Sequence, residues 1–350
     1  MNHGKQYLDR PVFISGFQKS GTTLLLALLD GHPQLVVFPE ELHFFEKVIF
    51  SPDKAKAVRE ETGFKMFLPN WDIQGWSRGD SRFREGYPEF DCIEFDRGVE
   101  KALQGHESDK DLLLQLVKSF AQVDNTDSSS KRHWVAKTPR EEMFVPVMSK
   151  MFGQEFKLVY IVRDPRDVYL SISRKNQIAG KPGSQFPEAV INFCVYWQTH
   201  LRRALYYQKR HGNIRILQFE QLLRDPETML RELCDFIQID YSPELLSPTR
   251  HRKPWGGNSA FTEGFDGLSS APSGRFKEVL DPRERAILEK LLSKELVLLG
   301  YEQDGSTRAG DVAHAPVPWL DYWITSLKYQ RWYFSRQTYA ALRYSFPWLH

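Results

Sequence analysis

The sequence predicts an α/β fold of three layers, in which a central parallel sheet is flanked by helices. Three observations carry this expectation. Five short apolar runs of strand character recur along the chain, longer segments of helical periodicity separate them, and the first run passes through a glycine-bounded polar loop into a helix. Strands that are apolar on both faces and alternate with helices belong to parallel sheets covered on both sides.

The runs are Val12 to Ser15, Leu35 to Phe38, Trp134 to Ala136, Leu158 to Val162 and Ile214 to Phe219. Helical periodicity marks Thr22 to Leu29, Ala189 to Gln208, Pro226 to Ile237 and Pro282 to Leu299. Two stretches break the alternation. Ser51 to Lys110 is mixed in charge, carries Trp71 and Trp76, and reads as an insertion over one end of the sheet. Thr249 to Ser273 is rich in Gly, Ser and Pro and reads as a long ordered loop, a kind more often functional than idle. The expected organisation is one domain over residues 1–305, with inserts at about 51–132 and 176–190, followed by an aromatic, basic, helical tail over 306–350.

Composition narrows the function. A chain of 350 residues, 41% hydrophobic, with Gly 22 and Pro 20, has a sizeable core and is neither collagen-like nor low-complexity. Lys+Arg 47 against Asp+Glu 45 leaves a net charge of +2, which excludes a surface that tracks nucleic acid but allows a local anion pocket. Cys92, Cys194 and Cys234 are odd in number and scattered, as free thiols in a reducing compartment are. Residues 1–11 hold no apolar run of signal-peptide length, and no stretch approaches the roughly 18 apolar residues of a membrane span. The expectation is a cytoplasmic protein.

The sharpest signal is FISGFQKSGTTLLLALL, residues 13–29. A strand runs into Gly16, and Gly21-Thr22-Thr23 opens a helix, so backbone N–H groups and a helix N-terminus converge where an anion binds. Gln18, Lys19, Ser20, Thr22 and Thr23 add a charge and further donors. The loop is P-loop-like, yet Thr22 stands where the nucleoside triphosphatase motif needs its lysine, and the lysine sits three residues earlier at Lys19. The loop therefore suits a phosphate-like group without ordinary ATP or GTP hydrolysis, which disfavours the first rival reading, a P-loop kinase or nucleotide hydrolase; a binding protein without turnover is the second.

The run QKSGTTLL resembles the 5′-phosphosulfate loop of sulfotransferases that use 3′-phosphoadenosine 5′-phosphosulfate (PAPS). Further segments agree in order. In VYIVRDPRDVYLSISR, Arg163 ends a strand and Ser171 follows eight residues later, the spacing at which the family holds the cofactor's 3′-phosphate. Arg offers a planar fork of donors and Ser a hydroxyl, both suited to a dianion. An ion pair of Arg163 with Asp164 or Asp167 is the plain structural alternative. Ser273-Gly274-Arg275-Phe276-Lys277 is similar to the family's late loop, which implies cofactor contacts from Gly274, Arg275 and Lys277. Residues 281–302 resemble the closing helix of this family, and 219–239 resemble a scaffold feature of its bacterial members.

Sulfuryl transfer to a hydroxyl needs a base, and positive charge on the leaving phosphate. Glu41-Leu42-His43-Phe44-Phe45-Glu46 resembles the E-x-H-F-F-[DE] element of heparan-sulfate-type glycan sulfotransferases, which implies Glu41 as general base, 22 residues after Lys19. Glu40 is the choice if the pairing follows the Glu-Glu of tyrosylprotein sulfotransferases, and His43 if it follows the small-molecule enzymes. An extended segment turns Glu40 away from Glu41 and puts His43 on the face of Glu41. Lys137-Thr138-Pro139 resembles the K-[ST]-P element of the glycan enzymes, which implies Lys137 as the second cation, with Arg140 beside it for an acidic substrate. The resemblance spans roughly residues 10–302. It implies PAPS as donor, PAP as product, no metal because lysines and loop amides supply the charge, and a carbohydrate or glycolipid hydroxyl as acceptor. The tail lies beyond it. After Pro318 the acid Asp321 stands against Lys328, Arg331, Arg336 and Arg343 among many aromatics, a composition suited to peripheral membrane contact or to oligomerisation.

Overall fold

In a computed structural model, residues 7–69, 90–124, 129–179, 186–255, 257, 273–301 and 320–331 are described. Their elements in chain order are β1 (Pro11–Gly16), α1 (Thr22–Leu29), β2 (Leu35–Glu41), α2 (Cys92–Gly105), α3 (Asp109–Val123), β3 (His133–Lys137), α4 (Val145–Phe152), β4 (Lys157–Val162), α5 (Pro165–Ile178) and α6 (Glu188–Gln208). After these come β5 (Ile214–Gln218), α7 (Pro226–Ile237), β6 (Thr249–Arg250), β7 (Lys253–Pro254), α8 (Pro282–Leu291), α9 (Ser293–Leu298) and α10 (320–331).

The five apolar runs form one parallel sheet in the order β2-β3-β1-β4-β5. Residues of β1 alternate between two cores. Val12 and Ile14 join Leu25 and Leu28 of α1 and Leu233 of α7 on one face, while Phe13 joins Trp134, Phe45 and Phe152 on the other. The path of the chain across the sheet reverses at β1, with β3 and β2 on one side and β4 and β5 on the other. Open α/β sheets bind ligands beyond their strand carboxyl ends at such a reversal.

One irregularity bears on the site. The register of β2 against β3 shifts between Val37 and Glu41, around Pro39, which has no N–H to donate to a ladder. β2 is an edge strand, where proline is tolerated, and past the shift Glu41 lies opposite Lys137.

The structure refines three expectations. The periodic segment Pro282 to Leu299 is two helices, because Leu292 leaves helical geometry at φ −102 and ψ 10. The described part of the first insert contributes to the core beside β2. Phe64, Phe67, Phe95 and Phe120 are fully buried and pack around Phe38 of β2, because α3 puts Leu112, Leu113, Leu116, Val117 and Phe120 on one face. The Thr249 to Ser273 stretch begins as an antiparallel hairpin, β6 with β7. Residues 256 and 258–272 of that stretch lie outside the described residues, as do Trp71 and Trp76, parts of both inserts (70–89, 125–128 and 180–185), and tail residues 306–319 and 332–350.

Candidate active site

The candidate residues follow the carboxyl ends of four strands. Gly16 ends β1, Glu41 ends β2, Lys137 ends β3, and Arg163 follows β4. Hydrogen bonds from backbone N–H groups stitch three of these ends together. Arg140 N–H donates to Gly16 O (2.9 Å), Leu42 N–H to Lys137 O (3.1 Å), and His43 N–H to Thr138 Oγ1 (3.0 Å).

The loop from Gly16 to Thr23 demands its glycines. A Cβ on Gly16 would stand 2.4 Å from Ile161 O, and one on Gly21, at φ 98, would stand 2.3 Å from the Phe219 ring. Lys19 is left-handed at φ 66, and Arg163 Nη1 donates to its carbonyl (3.1 Å). No side chain caps α1. Ser20 Oγ is fully buried without a hydrogen-bond partner, an arrangement that costs about 1–3 kcal/mol unless a ligand completes it. Burial pushes the Lys19 pKa down, with Lys175 and Arg163 adding to the effect and Glu41 opposing it. Unspent donors beside crowded cations fit a bound phosphate or sulfate group. Thr22 is buried, Thr23 half-buried, and Gln18 exposed at the crown of the loop.

Arg163 and Ser171 are both 7% exposed. Asp164 does not take Arg163. It caps α5 through Arg166 N–H (2.9 Å) and pairs with the Arg166 guanidinium at 2.7 Å. Asp167 lies 4.0 Å from Arg163, so this part of the plain ion-pair reading is present, and Arg163 also stacks on Phe219. The Asp167 carboxylate further accepts from Gly274 N–H (2.7 Å) and Phe276 N–H (3.0 Å). One acid thus fastens the Gly274–Arg275–Lys277 turn to the start of α5. Gly274 sits at φ 80, Arg275 is half-buried and Lys277 is exposed.

Across the sheet end, Glu41 accepts from Lys137 Nζ at 2.8 Å and from His43 Nε2 at 3.0 Å. Burial raises the Glu41 pKa, but the His43 bond and the Lys137 charge outweigh it and bring it to about 2. His43 loses basicity by burial and regains more from Glu41 and Glu46, ending at about 9. Its Nδ1 lies 3.4 Å from Glu46. Glu40 points the other way and pairs with Arg250 of β6. His43 reaches Glu41 differently from an extended segment. It stands beyond β2 in a left-handed turn at φ 54 that starts the Phe44–Lys47 helix.

Several neighbours escaped the sequence reading. Glu141 is 1% exposed, neither of its carboxylate oxygens has a hydrogen-bond partner, and burial pushes its pKa up to about 8. Glu142 accepts from Ser15 Oγ (2.6 Å) and meets His200 Nδ1 at 2.5 Å, and His200 Nε2 meets the Tyr329 hydroxyl at 2.7 Å. Gly63 backs the site, since a Cβ there would stand 2.4 Å from Glu41 O. Glu46 had a signal in the E-L-H-F-F-E run; the others had none. Among the described residues no group of three or more His, Cys, Asp or Glu is arranged to hold a metal ion, and no helix is long and apolar enough to cross a membrane.

Comparison with known proteins bears on the family and the fold. The model of a family described as "Sulfotransferase family" matches residues 11–243. An uncharacterized protein of Aquifex aeolicus (strain VF5) is 25% identical over 253 residues, 70% of this chain and 28% of that protein. A 3-beta-hydroxysteroid sulfotransferase of Cavia porcellus is 29% identical over 103 residues, 27% of this chain and 36% of its own length. The chain therefore spans about a third of these two relatives. A putative protein-tyrosine sulfotransferase of Caenorhabditis briggsae is 22% identical over 243 residues, 68% of this chain and 69% of its own. Among solved structures, the sulfotransferase domain from the Curacin biosynthetic pathway superposes at a TM-score of 0.51 with 19% identity, covering 84% of this chain and 98% of that one.

Proposed function

The chain belongs to the sulfotransferase family, and from that premise we propose that it moves a sulfuryl group from PAPS to an acceptor hydroxyl, on a carbohydrate or glycolipid. The observation that supports this best is the meeting of Glu41, Lys137 and His43 at the strand ends, with the Glu41 charge also felt at Lys19 on the β1–α1 loop.

Bound PAPS would supply the sulfuryl group and leave as PAP, carrying away the electron pair of the broken S–O bond. Ser20, Thr22, Thr23, the α1 amides and Lys19 would hold its 5′-phosphosulfate; Arg163 and Ser171 would hold the 3′-phosphate, with Gly274, Arg275 and Lys277 closing over it. Glu41 is ionised throughout the ordinary pH range and takes the acceptor proton as the new S–O bond forms. It is a weak base while Lys137 holds it. When Lys137 turns towards the sulfuryl oxygens, Glu41 loses one of the two groups that depress its pKa and gains basicity where it is needed. His43 keeps its proton and orients the carboxylate, so a histidine base is disfavoured. Lys19 and Lys137 carry the charge that Mg²⁺ carries in kinases, so the scheme needs no metal.

The named relatives act, by their names, on a steroid and on protein tyrosine. A panel of carbohydrate, glycolipid, steroid and tyrosyl hydroxyls incubated with labelled PAPS tests the reading. Transfer to a glycan or glycolipid supports it in full. Transfer only to a steroid or tyrosine overturns the acceptor class. PAP binding without transfer to any acceptor indicates a non-catalytic member, and Mg²⁺-dependent ATP turnover a kinase or hydrolase.

A further inference from the structure

Helix α10 is amphipathic in the wrong direction. Residues Tyr322, Thr325, Ser326 and Tyr329, spaced i, i+3, i+4 and i+7, face the protein, half-buried or buried. Their anchors are polar. The Tyr322 hydroxyl meets Gln198 Oε1 at 2.6 Å and the Tyr329 hydroxyl meets His200 Nε2 at 2.7 Å, both on α6. The opposite stripe, with the same spacing, is Leu320, Trp323, Ile324 and Leu327, and these are 72%, 60%, 39% and 64% exposed. An ordinary surface helix buries its apolar stripe and wets its polar one. Here the polar face is used for docking and the apolar face is turned to solvent.

We propose that this stripe is a docking face for an anionic lipid surface. Charge separates the lipid from the other two occupants. Lys328 and Arg331 stand on the exposed side of the helix, with Asp321 as the acid of the segment. A second copy would bring the same two cations and the same single acid, so it adds no net negative charge to match them. The chain's own residues 332–350 carry Arg336 and Arg343 and no acid, so they match the helix in sign. An acidic leaflet complements both. The partners of the stripe are also of interfacial type, since Trp, Tyr, Lys and Arg gather where hydrocarbon meets headgroups. The helix is held to the domain by two tyrosines at i and i+7, so docking would anchor the whole domain. Nothing in this inference depends on which acceptor is sulfated.

The test is sedimentation of the full chain with vesicles of phosphatidylcholine alone, and with about 30% phosphatidylserine added to supply negative surface potential. Wild type should partition onto the anionic vesicles and lose that preference as salt is raised. Trp323→Ser with Leu327→Ser, both at exposed positions, should keep the wild-type melting temperature and bind about tenfold more weakly or worse. Lys328→Glu with Arg331→Glu should abolish the preference for phosphatidylserine. Failure of wild type to bind either vesicle overturns the proposal. Equal binding by wild type and the double serine variant overturns it too, since another segment would then hold the membrane. A dimer in solution that the serine substitutions break, with no vesicle binding, assigns the face to a second copy instead.

Discussion

The two halves of the site differ in how their charges are spent. On the donor side Ser20 Oγ is buried without a partner, α1 is uncapped, and Lys19 and Arg163 crowd together. On the acceptor side three carboxylates are matched to cations, Glu41 with Lys137 and His43, Glu46 with His43, and Glu40 with Arg250, while Glu141 stays buried beside them without a hydrogen-bond partner. The donor side is built to receive an anion as it stands. Under the proposed mechanism the acceptor side must exchange partners before it works. Preorganised charge serves binding, whereas charge released late serves the transition state.

The largest expected effect tests the acceptor side. Glu41→Gln keeps the shape and removes the base, so kcat should fall by roughly 10²–10⁴ while PAP affinity stays intact. Glu40→Gln should be much milder, because Glu40 faces Arg250, and His43→Ala should be intermediate. Steady-state kinetics beside PAP titration decides it. A dead Glu40→Gln enzyme would favour the tyrosyl-type pairing, and a defect confined to His43→Ala would make histidine the base.

Next come the cations. Lys137→Ala and Lys19→Ala should each cost on the order of 10² in kcat, by analogy with loss of an oxyanion donor, and less in PAP affinity. Lys137→Ala has a second consequence. It removes a cation that holds Glu41, so the acidic limb of its pH–rate profile should move to higher pH. A limb that stays put would deny the exchange of partners.

A smaller effect reads the donor side. PAP should raise the melting temperature by mass action and ATP, which lacks the 3′-phosphate, much less. Arg163→Ala should remove most of the difference. Equal shifts from the two nucleotides would break the assignment of this half.

The donor half was also the more legible from sequence. Its signal is local: strand, glycine, hydroxyls and helix within Gly16 to Thr23, and one strand-to-helix run from Arg163 to Ser171. Local backbone geometry suffices there, because Gly16 and Gly21 are dictated by close approach to Ile161 and Phe219. The acceptor half assembles from strand ends about 96 residues apart, as Glu41 and Lys137 are. Its motifs could be named but its wiring could not. The bond of Lys137 to Glu41 depends on the register shift around Pro39, the pairing of Glu40 on the β6–β7 hairpin, and the support of Gly63 on an insert that the sequence reading left outside the core. The five strands were legible for the same reason as the donor loop. Helices α2 and α3 were not, because mixed charge on their outer faces hid the buried stripe of Phe95, Leu112, Leu116 and Phe120.

The smallest expected effect concerns the stability that the closed acceptor side contributes. His43 has its pKa raised from 6.5 to about 9, so its pairing is fully present below about pH 6.5 and is lost as pH rises through 9. Glu41 has its pKa lowered from 4.5 to about 2, so its share is present above about pH 4.5 and is lost as pH falls towards 2. The two windows overlap between about pH 4.5 and 6.5. There the wild type should exceed His43→Gln in melting temperature by its widest margin, roughly 1–3 °C, since the Glu41 side chain is 41% exposed and solvent screens the pair. The margin should shrink above pH 9 and again in strong acid. Glu41→Gln should lose the same pH-dependent share and carry a further cost, because it also takes the carboxylate away from the buried Lys137 ammonium. A margin independent of pH would mean that His43 serves by packing against Phe44 and Phe45, and that the acceptor side is held shut by shape rather than by charge.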